Sequence, residues 1–402
     1  MGLRGYNPTA MSSAAPAKLT FPSWPCFAPD EIDAVVRVLE SGRVNYWTGT
    51  EGTNFEREWA DLVGTRHGIA VANGTVTLEL ALMALGVGPG DEVIVPPRTY
   101  IATAFSVILR GATPIFADVD LESGNLTAES VHRVRTARTK AVIPVHLGGW
   151  PCEMDELNAL GIPLIEDCAQ AHGATYKGRN VGALGTIGSW SFCQDKIMTL
   201  GGEGGAVTTD DAGLWDAMWS YKDHGKSWDA VYEREHPAGF RWLSERVGTN
   251  WRLTEMQSAI GRVQIGKLPD WSRRRRENAA QLTRRFSQHP MLRVAEPPGH
   301  IEHAYYRWYA YVRPETLRPD WSRARITDRV AELGVWCQGG SCGEIYLEKA
   351  FDGTGLRPDN RLPGARQLGE TSLSMRTDPV LYPEHIDQMA DVLEMVLAEA
   401  KR

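Results

Sequence analysis

A lysine, an acid at a strand end, a small-residue turn and a nearby hydroxyl are spaced along this chain as a Schiff-base site requires. Lys196 closes the stretch Trp190-Ser191-Phe192-Cys193-Gln194-Asp195-Lys196 and precedes Gly201-Gly202-Glu203-Gly204-Gly205. A lysine just past a strand-like segment and before a glycine-rich turn can be held with its amine in a pocket. Such an amine condenses with carbonyls, above all with the aldehyde of pyridoxal phosphate. An isolated lysine is most often a solvated surface charge, so the reading rests on its partners. Asp167 ends the run Pro163-Leu164-Ile165-Glu166-Asp167. A buried carboxylate is costly without a cation, and a protonated pyridine nitrogen is one; the bland alternative is a helix cap in the turn that follows. Asn73-Gly74-Thr75 falls between a strand and a helix, where Gly74 permits close backbone approach and free N–H groups at the helix start can hold a phosphate. Ser191 can donate its hydroxyl to the same phosphate. Tyr100 can stack on the ring or serve as core.

The elements that must position these groups alternate from about residue 29 to residue 210. Asp30 can cap a helix whose apolar face is Ile32, Val35, Val36 and Leu39, ended by Gly42. Ile69–Ala72 reads as a strand, Thr75–Leu85 as a helix, Glu92–Pro96 as a strand and Ala104–Leu109 as a helix. Pro114–Ala117, Ala141–Val145 and Pro163–Asp167 are further buried runs. Unbroken apolar strands separated by helices predict an α/β fold, a mainly parallel sheet covered on both faces. Ligands bind such sheets at the carboxyl ends of the strands, where Asn73, Gly74, Thr75, Asp167 and Gln170 belong.

A second region, a smaller α+β domain, is expected from residue 266 to 402, after a large domain over 21–265 and a disordered leader over 1–20. It holds a polar helix from about Pro269 to Gln288, a strand near Tyr305–Val312, a helix near Ile326–Leu333 and a terminal helix over Glu384–Ala400. Arg273-Arg274-Arg275-Arg276 reads as a solvated face of the first of these helices.

A net charge of −7 argues against nucleic acid or an anionic membrane as the main partner. The six cysteines form no CxxC pair and no metal-type spacing, so a reduced, cytoplasmic protein is the simplest reading. No apolar run reaches the roughly 18 residues of a membrane helix. Gly86-Val87-Gly88-Pro89-Gly90 is not a dinucleotide fingerprint, because Pro89 breaks the helix start. The Gly201–Gly205 cluster lacks the Lys-Ser/Thr of a P-loop. His146, His172 and His224 remain without a role, and no metal is expected.

The chain resembles the DegT–StrS family of nucleotide-sugar aminotransferases, from about Phe21 onward. The likeness is carried by Asn73-Gly74-Thr75, Pro97-Arg98-Thr99-Tyr100-Ile101-Ala102-Thr103, Ile165–Ala174, Ser191–Gly205 and Gly248-Thr249-Asn250-Trp251-Arg252 with Gln257. The resemblance implies a fold-type I pyridoxal phosphate transferase. It implies that Lys196 forms the Schiff base, that Asp167 faces the pyridine nitrogen, and that Gln170 lies against the ring with Tyr100 on the other face. Gly74, Thr75 and Ser191 then hold the phosphate. Asn250 would reach the phosphate of a neighbouring subunit, implying a homodimer with shared sites, and Trp47-Thr48-Gly49 would border the substrate cleft. Two departures are the short helix Met154–Gly161 and a Gly201-Gly202 turn one residue longer than the common form.

The implied reaction passes nitrogen from glutamate or glutamine, through pyridoxamine 5'-phosphate, to the keto group of a nucleotide-activated deoxysugar. A ketocyclitol is the alternative acceptor. Pyridoxamine-dependent sugar dehydratases share the fold but carry histidine in place of Lys196. A non-catalytic regulator would have no use for the full constellation.

Overall fold

The computed structural model describes residues 19–341 and 343–402. The expected leader over 1–20 lies outside the described residues except for its last two positions. The main sheet uses β1 (His67–Val71), β2 (Glu92–Val95), β3 (Thr113–Phe116), β4 (Thr139–Val142), β5 (Ile165–Asp167), β6 (Ile187–Ser191) and β7 (Gly205–Thr209). Its spatial order is β3-β2-β4-β5-β6-β7-β1, with parallel bridges Val142 to Leu164 and Val145 to Asp167 joining its two halves. β2 runs parallel to β3 and β4, and β5 to β6. Only β7 is reversed, antiparallel to β6 and β1.

The sheet is mixed and mainly parallel, as expected. β2 is buried along its whole length, which is why Val93, Ile94 and Val95 run apolar without alternation, while Glu92 at its start is paired with Arg138. β7 escaped the reading because two of its buried residues are threonines. Thr208 Oγ1 donates to Gly182 O (2.8 Å) and accepts from Trp190 Nε1 (3.0 Å), so its polarity is satisfied inside the sheet.

Helices α1 (Pro29–Ser41), α2 (Glu51–Val63), α3 (Gly74–Ala84), α4 (Ala102–Leu109) and α5 (Ala212–Lys222) precede the long α6 (Glu255–Phe286). Expectations about α1 and α6 are corrected. In α1, Ala28 and not Asp30 is the N-cap; Asp30 lies inside the first turn, where its carboxylate accepts from Glu31 N–H (3.0 Å). The helix also buries Glu31, Ala34 and Val38, while Ile32, Val36 and Leu39 are exposed. The reason is ionic: Glu31 takes hydrogen bonds from Gln264 Nε2 (2.8 Å) and Lys267 Nζ (2.9 Å) on α6, which turns that face inward.

Helix α6 begins at Glu255, capped by Thr254 with Gln257 at the third position, and runs through Pro269 without a break. The expected starts at Gly266 and Pro269 fall inside it. It carries a buried stripe of Leu268, Ser272, Arg275, Ala279, Leu282 and Phe286. Arg275 is therefore no solvated residue: it is fully buried and pairs with Asp378 at 3.1 Å.

A second sheet, order β8-β9-β11-β10, is antiparallel throughout: β8 (Leu292–Arg293), β9 (Trp308–Val312), β10 (Cys337–Gln338) and β11 (Ser372–Met375). With α7 (Arg323–Glu332), α8 (Pro363–Thr371) and α9 (Pro383–Ala400) it forms the C-terminal region. Its core joins Leu282 and Phe286 of α6 to Trp308, Val330, Leu373 and Leu393.

Candidate active site

At the carboxyl ends of the sheet strands lies a pocket of about 540 Å³, lined by Asn73, Gly74, Thr75, Tyr100, Asp167, Gln170, Ser191 and Lys196 among others. Segments far apart in sequence thus meet where a parallel sheet directs them. Asn250 is not in this lining; it stands exposed, in a bridge with Asp223. The Trp47 turn does not line the pocket either. Trp47 packs edge-on against Trp219, with Lys226 Nζ 4.0 Å from its ring centroid, and Gly49 abuts Glu255.

Gly74 is set by contact rather than by an unusual dihedral. A methyl group there would fall 2.4 Å from Ser191 Cβ and 2.8 Å from its Oγ. Asn73 Oδ1 accepts from the N–H groups of Thr75 (3.0 Å) and Val76 (3.1 Å). These amides of α3, expected to be free for phosphate, are therefore spent on an N-cap. The Gly74 backbone and the Thr75 and Ser191 hydroxyls remain as the cradle. Gly74→Ala should cost about 1–3 kcal/mol by overpacking and weaken cofactor retention; a variant with an unchanged urea midpoint and undiminished cofactor content would contradict this close approach.

Asp167 is held at the end of β5 by its backbone, which donates to Pro144 O (2.8 Å) and accepts from His146 N–H (3.1 Å). Its carboxylate accepts from Thr103 Oγ1 (3.0 Å) and Ala169 N–H (3.2 Å). Burial drives its pKa above the ordinary carboxylate range; those hydrogen bonds and the charge of Lys196 pull the other way without prevailing. Next to it, buried Glu166 accepts from His146 Nε2 (3.0 Å) and from the amides of Gly182, Leu184 and Gly185. His146 Nδ1 accepts from Cys152 N–H (3.0 Å), so the ring donates through Nε2. His146, Glu166 and Cys168 cluster closely, but this network spends the imidazole and the carboxylate on protein partners.

Lys196 sits on a tight turn in which Phe192 N–H donates to Gly204 O (2.8 Å) and Leu200 N–H to Phe192 O (3.1 Å). Gly201 and Gly202 both have positive φ, 82° and 126°, which glycine adopts without strain. Lys196 Nζ lies 3.4 Å from Asp195 Oδ1 and 5.2 Å from the Tyr306 ring centroid. Tyr306 donates its hydroxyl to Asp195. Burial raises the Asp195 carboxyl, but Lys196, Tyr306 and Arg307 outweigh it, so it sits below the ordinary value. Gln170 Oε1 accepts from Gly148 N–H (2.7 Å), and its Nε2 donates to Ser341 Oγ (3.2 Å). Tyr100 is 69% exposed on the pocket rim.

The DegT/DnrJ/EryC1/StrS aminotransferase family profile matches residues 25–394. The chain belongs to this family. The aminotransferase is 40% identical to the dTDP-3-amino-3,4,6-trideoxy-alpha-D-glucose transaminase of Streptomyces venezuelae, over 87% of each chain. It is 34% identical to the UDP-N-acetyl-3-dehydro-alpha-D-glucosamine 3-aminotransferase of Acidithiobacillus ferrooxidans, over 92% of this chain and 95% of that one. An aminotransferase structure from Psychrobacter cryohalolentis superimposes with a TM-score of 0.93 at 52% identity, covering 95% of this chain and all of that one. The fold is the expected type I pyridoxal phosphate transferase fold.

Sequence reasoning missed three contributors to the aminotransferase pocket. Thr103 fixes the Asp167 carboxylate, and Trp24 Nε1 donates to Lys196 O (2.9 Å). Tyr306 grips Asp195 from 111 positions away, and no local pattern announces such a partner. His172 is packed with Trp59, Trp190 and Phe192. Burial, helped by the charges of Lys196 and Arg275, pushes it down to about 3, so it is a neutral core residue.

Proposed function

We propose that this aminotransferase carries nitrogen from glutamate or glutamine to the keto group of a nucleotide-activated deoxysugar, using pyridoxal 5'-phosphate held in the pocket of Lys196. The observation that carries the reading is the convergence of Lys196 and the buried, cation-deficient Asp167 on one pocket. The donor set fits the group: a carboxylate at the strand end for the ring nitrogen, two hydroxyls at the Gly74 turn for the phosphate, and a lysine amine between them. When bound, the cofactor supplies an aldehyde and an electron-withdrawing ring that take up and return the amino group.

The chain's own residues do the rest. With the cofactor bound, Lys196 Nζ would hold and carry a proton at the reacting centre, first as base and then as acid. Asp195 and Tyr306 hold that amine in place. Thr103 keeps the Asp167 carboxylate facing the pocket, and Tyr100 covers the open face. The sugar-nucleotide acceptor is supported by the two named relatives, both of which act on nucleotide sugars.

A homodimer with shared sites belongs to the same reading. It is supported by the exposed position of Asn250 and by the exposed apolar stripe Ile32, Val36 and Leu39 of α1. Cytoplasmic residence is supported by unpaired Cys26, Cys152, Cys168, Cys193 and Cys337. No helix among the described residues is long and apolar enough to cross a membrane. The deciding experiment offers the aminated enzyme a panel of nucleotide ketosugars and free ketocyclitols and follows recovery of the aldehyde absorbance. Recovery with a nucleotide ketosugar is expected; recovery with ketocyclitols alone would overturn the acceptor assignment.

A further inference from the structure

Next to the main pocket is a smaller cavity of about 260 Å³ that shares Tyr100, Gln170, Asp195 and Lys196 with it and adds Arg307 and Trp336. Arg307 lies between two rings, its guanidinium carbon 4.4 Å from the Tyr306 centroid and 4.7 Å from that of Trp336. These contacts hold the guanidinium plane in place. Among the described residues its hydrogen bonds use Nη1 alone, to Tyr306 O (3.1 Å) and Asp378 Oδ1 (3.4 Å). Arg307 lines the cavity, and its Nε–Nη2 edge, the fork that grips a carboxylate with two parallel bonds, has no protein partner among the described residues.

Charge counting points the same way. Asp378 is shared with Arg275 (3.1 Å) and Arg376, and Asp195 with Lys196 (3.4 Å) and Tyr306. Lys196, Arg275, Arg307 and Arg376 thus face Asp195, Asp378 and, across the pocket from Lys196, Asp167, so four cations meet three carboxylates and an anion would balance the remaining positive charge. The proposed reaction brings a carboxylate there, because the donor's amino group must arrive where Lys196 stands.

We propose that Arg307 receives the α-carboxylate of the amino-acid donor; this rests on the donor half of the proposed function. The larger pocket then takes the cofactor, and the side cavity orients the donor. The test titrates the cofactor-loaded enzyme calorimetrically with glutarate, then follows each half-reaction separately by cofactor absorbance. In Arg307→Gln, glutarate affinity should fall about 10- to 100-fold, the value of a charged, two-pronged hydrogen bond. The donor half-reaction should fall at least about tenfold more than the acceptor half-reaction. Arg307→Lys, which keeps the charge and loses the fork, should lie between the two; it also reads the site if the glutamine variant melts early. Unchanged glutarate affinity overturns the proposal. So does a loss confined to the acceptor half-reaction, which would assign Arg307 to an acidic sugar. A wild type that binds glutarate through Arg307 but transfers no nitrogen would sink the proposed function and leave this anion site standing.

Discussion

Lys196→Ala is expected to lower turnover by about 10⁴-fold or more, since in the proposed reaction Lys196 supplies both the carbonyl-condensing amine and the proton carrier. The fold should survive. The side chain lines a pocket and is 15% exposed, not packed in a core. The contact that anchors its turn is Trp24 Nε1 to the main-chain oxygen of residue 196, which alanine retains. The variant should therefore melt as a folded protein, yet show no absorbance that borohydride bleaches. A variant with near-normal turnover would end the assignment. The same variant also tests the proposed sharing of sites in a dimer. Mixed and refolded with Asn250→Ala chains, it should regain roughly a quarter of wild-type activity, because half of the dimers are then mixed and each mixed dimer has one intact site. No recovery from the mixture would mean that Asn250 serves its own subunit's site, and about half of wild-type activity would mean that it serves none.

How far the sequence reached depends on where each residue's partners lie. The sheet and the meeting of the Asn73, Asp167 and Lys196 segments in one pocket were legible because strand, turn and helix signals sit beside those residues. Arg275 was misread because a run of arginines looks solvated, while its place on the Leu268, Ser272, Ala279 and Leu282 stripe puts it in the core opposite Asp378. The apolar face of α1 had the right period but the wrong direction. Periodicity marks a stripe without naming its partner, and the buried ionic contacts of Glu31 with α6 decided which face turned inward. Asp195 and Arg307 gain their meaning from Tyr306, Trp336 and Asp378, and Tyr306 and Asp378 lie more than a hundred positions beyond Asp195 or Arg275. Contacts of that kind are set by tertiary packing and leave no local trace.

Asp167→Asn should have opposite effects on the free and the cofactor-bound protein. In the free protein the carboxyl has a raised pKa, chiefly because it is buried. The folded chain therefore holds this proton more tightly than the unfolded chain does. Its stabilising contribution is present at low pH and is lost as the pH rises through the raised folded value. Asparagine cannot ionise, keeps an oxygen for the Ala169 N–H, and removes that loss. Cofactor-free Asp167→Asn should thus melt at or above wild type at neutral pH, with the difference closing on acidification below the ordinary carboxylate range. With cofactor the order reverses. Removing the anion leaves a buried ring cation unpaired, at about 2–5 kcal/mol, so cofactor affinity should fall about 10²-fold or more and ligand-induced thermal stabilisation should shrink with it. Equal cofactor affinity in the two proteins would show that position 167 does not face a cation. A cofactor-free variant that melts well below wild type at neutral pH would show that the ionised carboxylate is itself a structural support. The crossing of the two melting curves separates a carboxylate kept for its ligand from one kept for the fold.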